Sequence, residues 1–202
     1  ITDSGTSLDC QGSVFDGGGE EPIGLLLDSR GRELTRVTVR DCVFQNYAAS
    51  GVRVTWNVPD TAKGDDQALI SARTPRDIVL DHLVVSGSGR VGIYVDDYVS
   101  GLTLRDSRIE NTSGVGLYLE FGSHGNTITG NTFRHNGARH IGLPDREALA
   151  VDASSGNLIA GNRFEGNAAG AIFLYKNCWE HHSTGRQVPR RMHSDDNEIR
   201  DN

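Results

Sequence analysis

The stretch NTITGNTF at residues 126–133 recurs as NLIAGNRF at residues 157–164, and NEIRDN at residues 197–202 begins a third copy. The shared pattern is Asn-x-Ile-x-Gly-Asn-x-Phe. Self-similarity of this kind predicts stacked structural repeats. Weaker copies precede these three, and alignment on the central apolar residue gives the anchors Cys10, Val39, Leu80, Leu104, Ile128, Ile159 and Ile199. A second apolar residue follows each of the first six anchors in step: Phe15, Phe44, Val85, Ile109, Phe133 and Phe164.

A second repeat runs in phase with the first and consists of a small residue followed by apolar, any and apolar residues. It occurs at residues 24–27, 51–54, 92–95, 116–119, 148–151 and 171–174. Each copy predicts a short strand, because alternate side chains of a strand point to opposite faces. Short strands that recur in phase predict coils stacked into a solenoid. We interpret the small residues, among them Gly24, Gly51, Gly92 and Gly116, as bends that enter successive strands.

These repeats resemble those of the right-handed parallel β-helix of the pectate-lyase type, from about Leu8 to Asn202. The expected fold is therefore an all-β, right-handed parallel β-helix of about seven partial coils, in a single domain over residues 1–202. Stacking would align Asn131, Asn162 and Asn202 in an inward amide ladder, with Ser13, Cys42 and Ser107 as smaller equivalents. Terminal repeats normally carry a cap, and no amphipathic capping helix is predicted, so we expect a segment of a longer chain.

Composition narrows the classes of partner. The formal net charge of -7 argues against a nucleic-acid backbone as the main partner. No apolar run is long enough to predict a membrane-spanning helix. The three cysteines contain no Cys-x-x-Cys pair, which excludes a dense disulfide framework and leaves at least one thiol without a partner in the chain. We interpret Cys10 and Cys42 as small core residues.

The outward positions of the second repeat form two columns on the predicted sheet. The first contains Arg53, Tyr94 and Tyr118, and the second contains three acids, Asp96, Glu120 and Asp152. Stacked like charges repel, so such a row raises a pKa, captures a cation such as Ca²⁺, or remains solvated. A pair of exposed tyrosines is suited to stacking against sugar rings. The alternative is an acidic face that serves solubility alone.

Three long loops, at residues 55–76, 134–147 and 175–196, interrupt the repeats, and long loops on a rigid scaffold often carry function. Their basic, imidazole and indole residues are Trp56, His135, Arg139, His140, Arg146, Lys176, Trp179, His181, His182, Arg190, Arg191 and His193. Cations beside an acidic, aromatic sheet are what a polyanionic sugar requires. Cys178, His181, His182 and His193 offer a transition-metal site as an alternative.

The resemblance to this β-helix class implies a carbohydrate-related role, because its members include pectate, alginate and chondroitin lyases, uronan C5-epimerases, polygalacturonases and phage tailspike glycosidases. The leading hypothesis is an enzyme that acts on an acidic polysaccharide by β-elimination or C5-epimerisation. The candidate catalytic residues are Lys176, Tyr118, Arg53 and His135. The candidate substrate-binding residues are Tyr94, Trp56, Arg139, His140 and Asp152, and the candidate calcium ligands are Asp96, Glu120 and Asp152.

Two family signatures are missing from the chain. The Asp-Pro-His-Asp tetrapeptide of alginate epimerases is absent, and the nearest equivalent is LPDR at residues 143–146. The Arg-rich signature of pectate lyases is absent as well. These departures favour the rival hypothesis, a non-catalytic β-helix that binds glycans or serves surface assembly. Either role predicts a polysaccharide partner, most simply a polyuronate, and a periplasmic or extracellular location.

Overall fold

The computed structural model describes residues 1–58, 67–138, 143–177, 179–181, 187–189 and 192–202, without the side chains of residues 67, 179–181 and 187–189. Three parallel sheets form the walls of a right-handed β-helix, as predicted. Sheet A contains β1 (Ser7–Asp9), β4 (Leu34–Arg40), β7 (Pro75–Asp81), β10 (Thr103–Arg105), β13 (Thr127–Thr129), β16 (Leu158–Ala160) and β21 (Glu198–Arg200). Sheet B contains β2 (Val14–Asp16), β5 (Val43–Gln45), β8 (Val84–Ser86), β11 (Arg108–Glu110), β14 (Thr132–Arg134) and β17 (Arg163–Glu165). Sheet C contains β3 (Ile23–Asp28), β6 (Ser50–Thr55), β9 (Val91–Val95), β12 (Val115–Leu119), β15 (Leu149–Asp152) and β18 (Ile172–Tyr175).

Two elements stand apart from the coils. Helix α1 (Gln67–Arg73) lies between β6 and β7, and β19 (Trp179–His181) pairs antiparallel with β20 (Gln187–Pro189). No helix in the described part of the chain is long and apolar enough to cross a membrane.

The strand register confirms the alignment of the repeats, with one correction. In sheet A, Val39 pairs with Leu80 and Ile128 pairs with Ile159, as the anchors predict. In the first coil, however, Leu8 and not Cys10 pairs with Val39. Leu8 is the better anchor because it packs against the main core as an apolar strand residue. In sheet B, the second apolar residues of the first repeat pair in the predicted order, and in sheet C the strands of the second repeat do the same.

Buried asparagines join the later coils at their corners. The predicted ladder is present, since the side-chain amide of Asn131 donates to Asn162 Oδ1 at 3.0 Å and that of Asn162 donates to Asn202 Oδ1 at 2.9 Å. Two further ladders run beside it, through Asn126, Asn157 and Asn197 and through Asn136 and Asn167. Each oxygen also accepts a backbone N–H of the coil before. The ladders thereby satisfy polar groups that the turns would otherwise bury unpaired.

The glycines serve two different purposes. Gly130 and Gly161 follow strands of sheet A in the left-handed conformation, with φ of 67° and 64°, which glycine adopts without steric cost. In contrast, Gly92 and Gly116 lie inside strands, and a Cβ there would approach the carbonyl oxygen of the next coil to 2.5 Å and 2.7 Å. Gly92 and Gly116 are therefore not bends, as predicted, but positions where the backbones of neighbouring coils approach closely.

The first two coils are joined covalently instead. Cys10 and Cys42 form a disulfide, in addition to being the small core residues expected from the sequence. Both are buried, as predicted, at 7% and 0% exposure. The pair was not predicted because Cys10 was aligned with Val39, whereas in the structure Leu8 takes that position.

The interior is one apolar cluster that extends from the first coil to the last. Aromatic rings stack within it between neighbouring coils, with Phe133 and Phe164 5.1 Å apart between ring centroids. A second cluster lies beneath α1 and contains Trp56, Ile70, Tyr98 and Phe121. Trp56 is 3% exposed there, so its ring is not available to stack on a sugar. That position was expected in a surface loop, but apolar contacts with α1 and its neighbours bury it.

Candidate functional site

The outer face of sheet C carries a continuous stack of four side chains. The rings of Tyr94 and Tyr118 lie 5.6 Å apart between centroids and 25° from parallel. The Arg53 guanidinium lies 5.1 Å from the centroid of Tyr94, and the Arg146 guanidinium lies 6.0 Å from that of Tyr118. Cations over aromatic faces are attracted by the electron density of the ring. We call Arg53, Tyr94, Tyr118 and Arg146 the Arg–Tyr stack.

The sheet register creates this stack. Arg53 pairs with Tyr94 and Tyr94 pairs with Tyr118 at equivalent positions of successive coils. The next residue in the column is Ala150, whose short side chain cannot continue the stack. Arg146 fills that place from the loop before β15. Because each ring face contacts its neighbour, both tyrosines present their edges outward, and the expectation that a sugar stacks on their faces is corrected.

A cavity of about 220 Å³ opens over the stack. All four stacked residues line it, together with Arg90. Arg90 is exposed and makes no ion pair with any residue in the described ranges. Arg53 and Arg146 are paired, with Asp96 at 2.6 Å and Glu147 at 3.0 Å. The cavity therefore collects three guanidinium groups, one of them without a carboxylate.

The acidic column lies beside the stack, but it does not form a bare row of charge. Asp96 accepts a hydrogen bond from Arg53, Glu120 accepts one from the Tyr94 hydroxyl, and Asp152 accepts one of 2.8 Å from the Tyr118 hydroxyl. Each acid is thus bonded diagonally to the stack residue of the preceding coil. The repulsion expected of stacked carboxylates is relieved by these donors.

These carboxylates do not gather around a common point. Among the described residues, the group whose ligand atoms lie close enough to share an ion is Asp81, His82 and Asp106, at the corner between sheets A and B. Asp96, Glu120 and Asp152 are not such a group, so the arrangement offers the predicted calcium ion no shared site. Asp81 is in turn occupied by Arg105 at 2.8 Å and by the adjacent imidazole.

The tyrosine hydroxyls hold their protons firmly. Burial, followed by the charges of Asp96 and Glu120, raises the pKa of Tyr94 far above its ordinary value. Burial, followed by Glu120 and Asp152, does the same to the pKa of Tyr118, although the Arg146 cation partly opposes it. Both side chains are therefore neutral phenols at physiological pH. Asp152 also accepts a hydrogen bond of 2.6 Å from the Asn177 amide.

The other candidate residues lie away from this cavity. Lys176 lines a separate depression of about 270 Å³ with Tyr175 and His193, past the ends of the sheet C strands. His135 is an exposed corner residue after β14 and does not line either cavity. The candidate residues Arg139, His140, Cys178, His182, Arg190 and Arg191 lie outside the described residues, as do the side chains of Trp179 and His181.

Arg90 was not a candidate from the sequence, and Arg146 was expected only as one of the basic residues of the loops. Both stand two residues before the small residue of the second repeat, at Gly92 and Ala148. That shared position was a usable signal. It was missed because the columns were drawn within the strands and stopped short of the residues before them.

Comparison with solved structures finds similar folds at low sequence identity. The mannuronan C-5 epimerase AlgE6 A-module of Azotobacter vinelandii matches with a TM-score of 0.54 and 17% identity, over 85% of this chain and 51% of that one. Tailspike protein 2 of the Escherichia coli O157:H7 bacteriophage CAB120 matches with a TM-score of 0.51 and 12% identity, over 84% and 26%. The chain thus spans about half of the epimerase module and a quarter of the tailspike.

Comparison with curated protein sequences finds no significant match. The family described as right handed beta helix region matches residues 24–202, which is most of the chain. This match agrees with the three parallel sheets and with the corner ladders described above. The chain belongs to the right-handed β-helix family.

Proposed function

We propose that the outer face of sheet C binds an acidic polysaccharide and acts on it at a uronate, by β-elimination or C5-epimerisation. The observation that carries this proposal is the Arg–Tyr stack lining the cavity over sheet C. Fold likeness to a mannuronan epimerase is compatible with it, but fold alone does not assign function.

Binding would rest on the guanidinium groups. Arginine forms paired, charge-assisted hydrogen bonds with carboxylates. The tyrosines hold Arg53 and Arg146 in place through their ring faces, so less conformational entropy is lost when a carboxylate binds. The outward ring edges carry partial positive charge and suit sugar oxygens.

Chemistry would rest on Tyr118, which lies beside Arg146 and is bonded to Asp152. With the substrate carboxylate neutralised by Arg146, the phenol oxygen accepts the C5 proton while its own proton passes to Asp152. The electron pair of the C5–H bond then either forms the C4–C5 double bond as the C4–O4 bond breaks and the leaving oxygen takes a proton from water, or it accepts a proton from water on the opposite face of the ring. Tyr118 stays neutral throughout, in keeping with its raised pKa.

The rival function is binding without turnover, and one observation favours it. Each carboxylate on this face already accepts a hydrogen bond from Arg53, Tyr94, Tyr118 or Asn177. A carboxylate engaged in this way has fewer lone pairs left to accept a proton from a substrate. In that case the face would be a glycan-binding module.

Turnover assays separate the two functions. The protein is incubated with polymannuronate, polygalacturonate and chondroitin, with ultraviolet absorbance reporting unsaturated uronate and proton NMR reporting C5 inversion. The proposal expects turnover of at least one polymer, loss of at least about 100-fold on Tyr118→Phe, and retained binding. Arg108→Ala, on the outer face of sheet B, serves as the control and stays fully active. Binding of a polyuronate with no change in it would establish the rival, and absence of both would end the proposal.

The same proposal places the protein outside the cytoplasm. The disulfide between Cys10 and Cys42 is of the kind that persists in oxidising compartments. A polysaccharide partner in a periplasmic or extracellular setting agrees with this chemistry. Labelling of free thiols in protein purified from its native compartment checks it, because the proposal expects Cys10 and Cys42 to remain unlabelled until a reductant is added.

A further inference from the structure

Arg90 and Arg146 occupy the same position of the repeat, two coils apart. Val91 pairs with Val115 and Leu117 pairs with Leu149, and extension of these registers places Gly114 between the two arginines. Strands of a sheet are about 4.8 Å apart, so the backbones of the two arginines are separated by about 10 Å along the helix axis. Both side chains line the cavity over the Arg–Tyr stack.

Gly114, the residue between them, carries no side chain. A Cβ at this position would meet the Arg90 carbonyl oxygen at 2.0 Å, so no other residue fits. The interval between the two guanidinium-bearing positions therefore has no side chain.

The two arginines also differ in their partners. Arg146 holds Glu147 through two hydrogen bonds, of 3.1 Å from Nε and 3.0 Å from an outer nitrogen, and it also interacts with the Tyr175 hydroxyl. Arg90 makes no ion pair within the described part of the chain. Arg90 is thus the stronger attractor for an anion, and Arg146 is the more rigidly held.

We infer that Arg90 and Arg146 form a two-point clamp for a glycan that runs along the helix axis and carries a carboxylate on every second sugar. An extended β-linked pyranose is about as long as one strand spacing, so successive sugars lie over successive coils. The sugar over Gly114 meets no guanidinium and is accommodated without a charge. This inference rests on the proposed function, and it names the substrate class of the same site.

A fully acidic polymer fits the clamp less well. Its middle carboxylate would lie over Gly114, the position between Arg90 and Arg146 that carries no guanidinium. A carboxylate with no cation there loses its hydration without compensation. The clamp therefore selects the spacing of the charges and not their number.

Isothermal titration with hexasaccharides of equal length tests this inference. The probes are an unsulfated alternating uronate and N-acetylhexosamine oligomer, a mannuronate oligomer and a neutral cello-oligomer. We expect the alternating oligomer to bind at least as tightly as the mannuronate oligomer, with half its charge, and the neutral oligomer to bind weakest. Arg90→Ala and Arg146→Ala should each weaken binding of the alternating oligomer by about tenfold, the loss of one charge-assisted contact.

Two controls make the outcome specific. Arg90→Lys keeps the charge and should recover part of the affinity, whereas Arg108→Ala on sheet B should change nothing. Affinity that rises with the number of carboxylates, or an Arg90→Ala variant that binds as the parent does, would overturn the clamp while leaving acidic-glycan binding intact. Failure of every acidic oligomer to bind would instead overturn the proposed function itself.

Discussion

The polar side chains at the corners of the β-helix differ from those on the outer face of sheet C in burial and in how regularly they repeat. At the corners, Asn131 and Asn162 are buried, and their side chains make the same hydrogen bonds from coil to coil. On the outer face of sheet C, Arg53, Tyr94 and Tyr118 share one column but change identity at almost every coil. The regular region holds the coils together, and the irregular region gives the surface its chemical character. In a solenoid, a departure from the repeat is therefore the more informative signal for function.

The corners should be the more sensitive region for stability. Asn131→Ala removes the acceptor of the Ser107 N–H and the donor to the Leu104 carbonyl, both buried. Unsatisfied buried groups cost about 1–3 kcal/mol each, so we expect a loss of about 4 kcal/mol in the free energy of unfolding. Urea denaturation measures it. Asn202→Ala, in the same ladder but exposed, should cost clearly less, and equal losses would show that burial does not set the strength of the ladder.

Loss of the disulfide should have the next largest effect on stability, because the bond joins the first coils, where the ladder has no asparagine. Replacement of Cys10 and Cys42 by serine should lower the free energy of unfolding by about 3 kcal/mol. Hydrogen exchange should report the loss mainly in β1 and β2. Uniform exchange throughout the helix would contradict a local role for the bond.

A pH effect should follow from the ion pair at the edge of the candidate site. Burial alone would raise the pKa of Glu147, but the hydrogen bonds and charge of Arg146 and the Tyr175 hydroxyl outweigh it, and the net shift is downward. A lowered pKa in the folded state gives stability at neutral pH, which is lost as the pH falls from about 5 toward the folded-state value. Glu147→Gln should flatten this part of the stability profile. A profile identical to that of the parent would exclude Glu147 as its source.

The smallest effect should come from the outer face of sheet A. Arg105 and Asp81 form an exposed ion pair between neighbouring coils, and such pairs contribute roughly 0–1 kcal/mol. Arg105→Ala should change stability by less than about 0.5 kcal/mol and glycan binding not at all. Thermal melting together with the titration described above would detect either change. A large loss of binding would place glycan contacts on the wrong face for this account.

The sequence was sufficient to predict the architecture and most of its register. The repeat around Ile128 and Ile159 predicted both the pairing of coils and the ladder at Asn131 and Asn162. The ladder that starts at Asn126 belongs to the same motif and was overlooked, because its asparagine precedes the strand and was not assigned a direction. A sequence repeat predicts structure well because equivalent residues of successive coils have similar surroundings.

The site was less predictable for a physical reason. The position of Arg146 over Tyr118 depends on the short side chain of Ala150 and on a loop whose path the repeat does not specify. Likewise, the column of Asp96, Glu120 and Asp152 predicted repulsion, whereas the structure supplies each acid with a donor from the preceding coil. Contacts between a loop and a strand, and diagonal contacts between coils, do not follow from the repeat pattern and are seen only in the structure.

A crystal structure with a bound acidic tetrasaccharide tests the central claim most directly. The account predicts that the glycan lies in the cavity over the Arg–Tyr stack, with a carboxylate within hydrogen-bond distance of Arg90 or Arg146 and its axis parallel to that of the helix. A glycan bound over sheet A or sheet B, or in the depression beside Lys176, would contradict the account. So would an empty cavity at concentrations that saturate binding in solution.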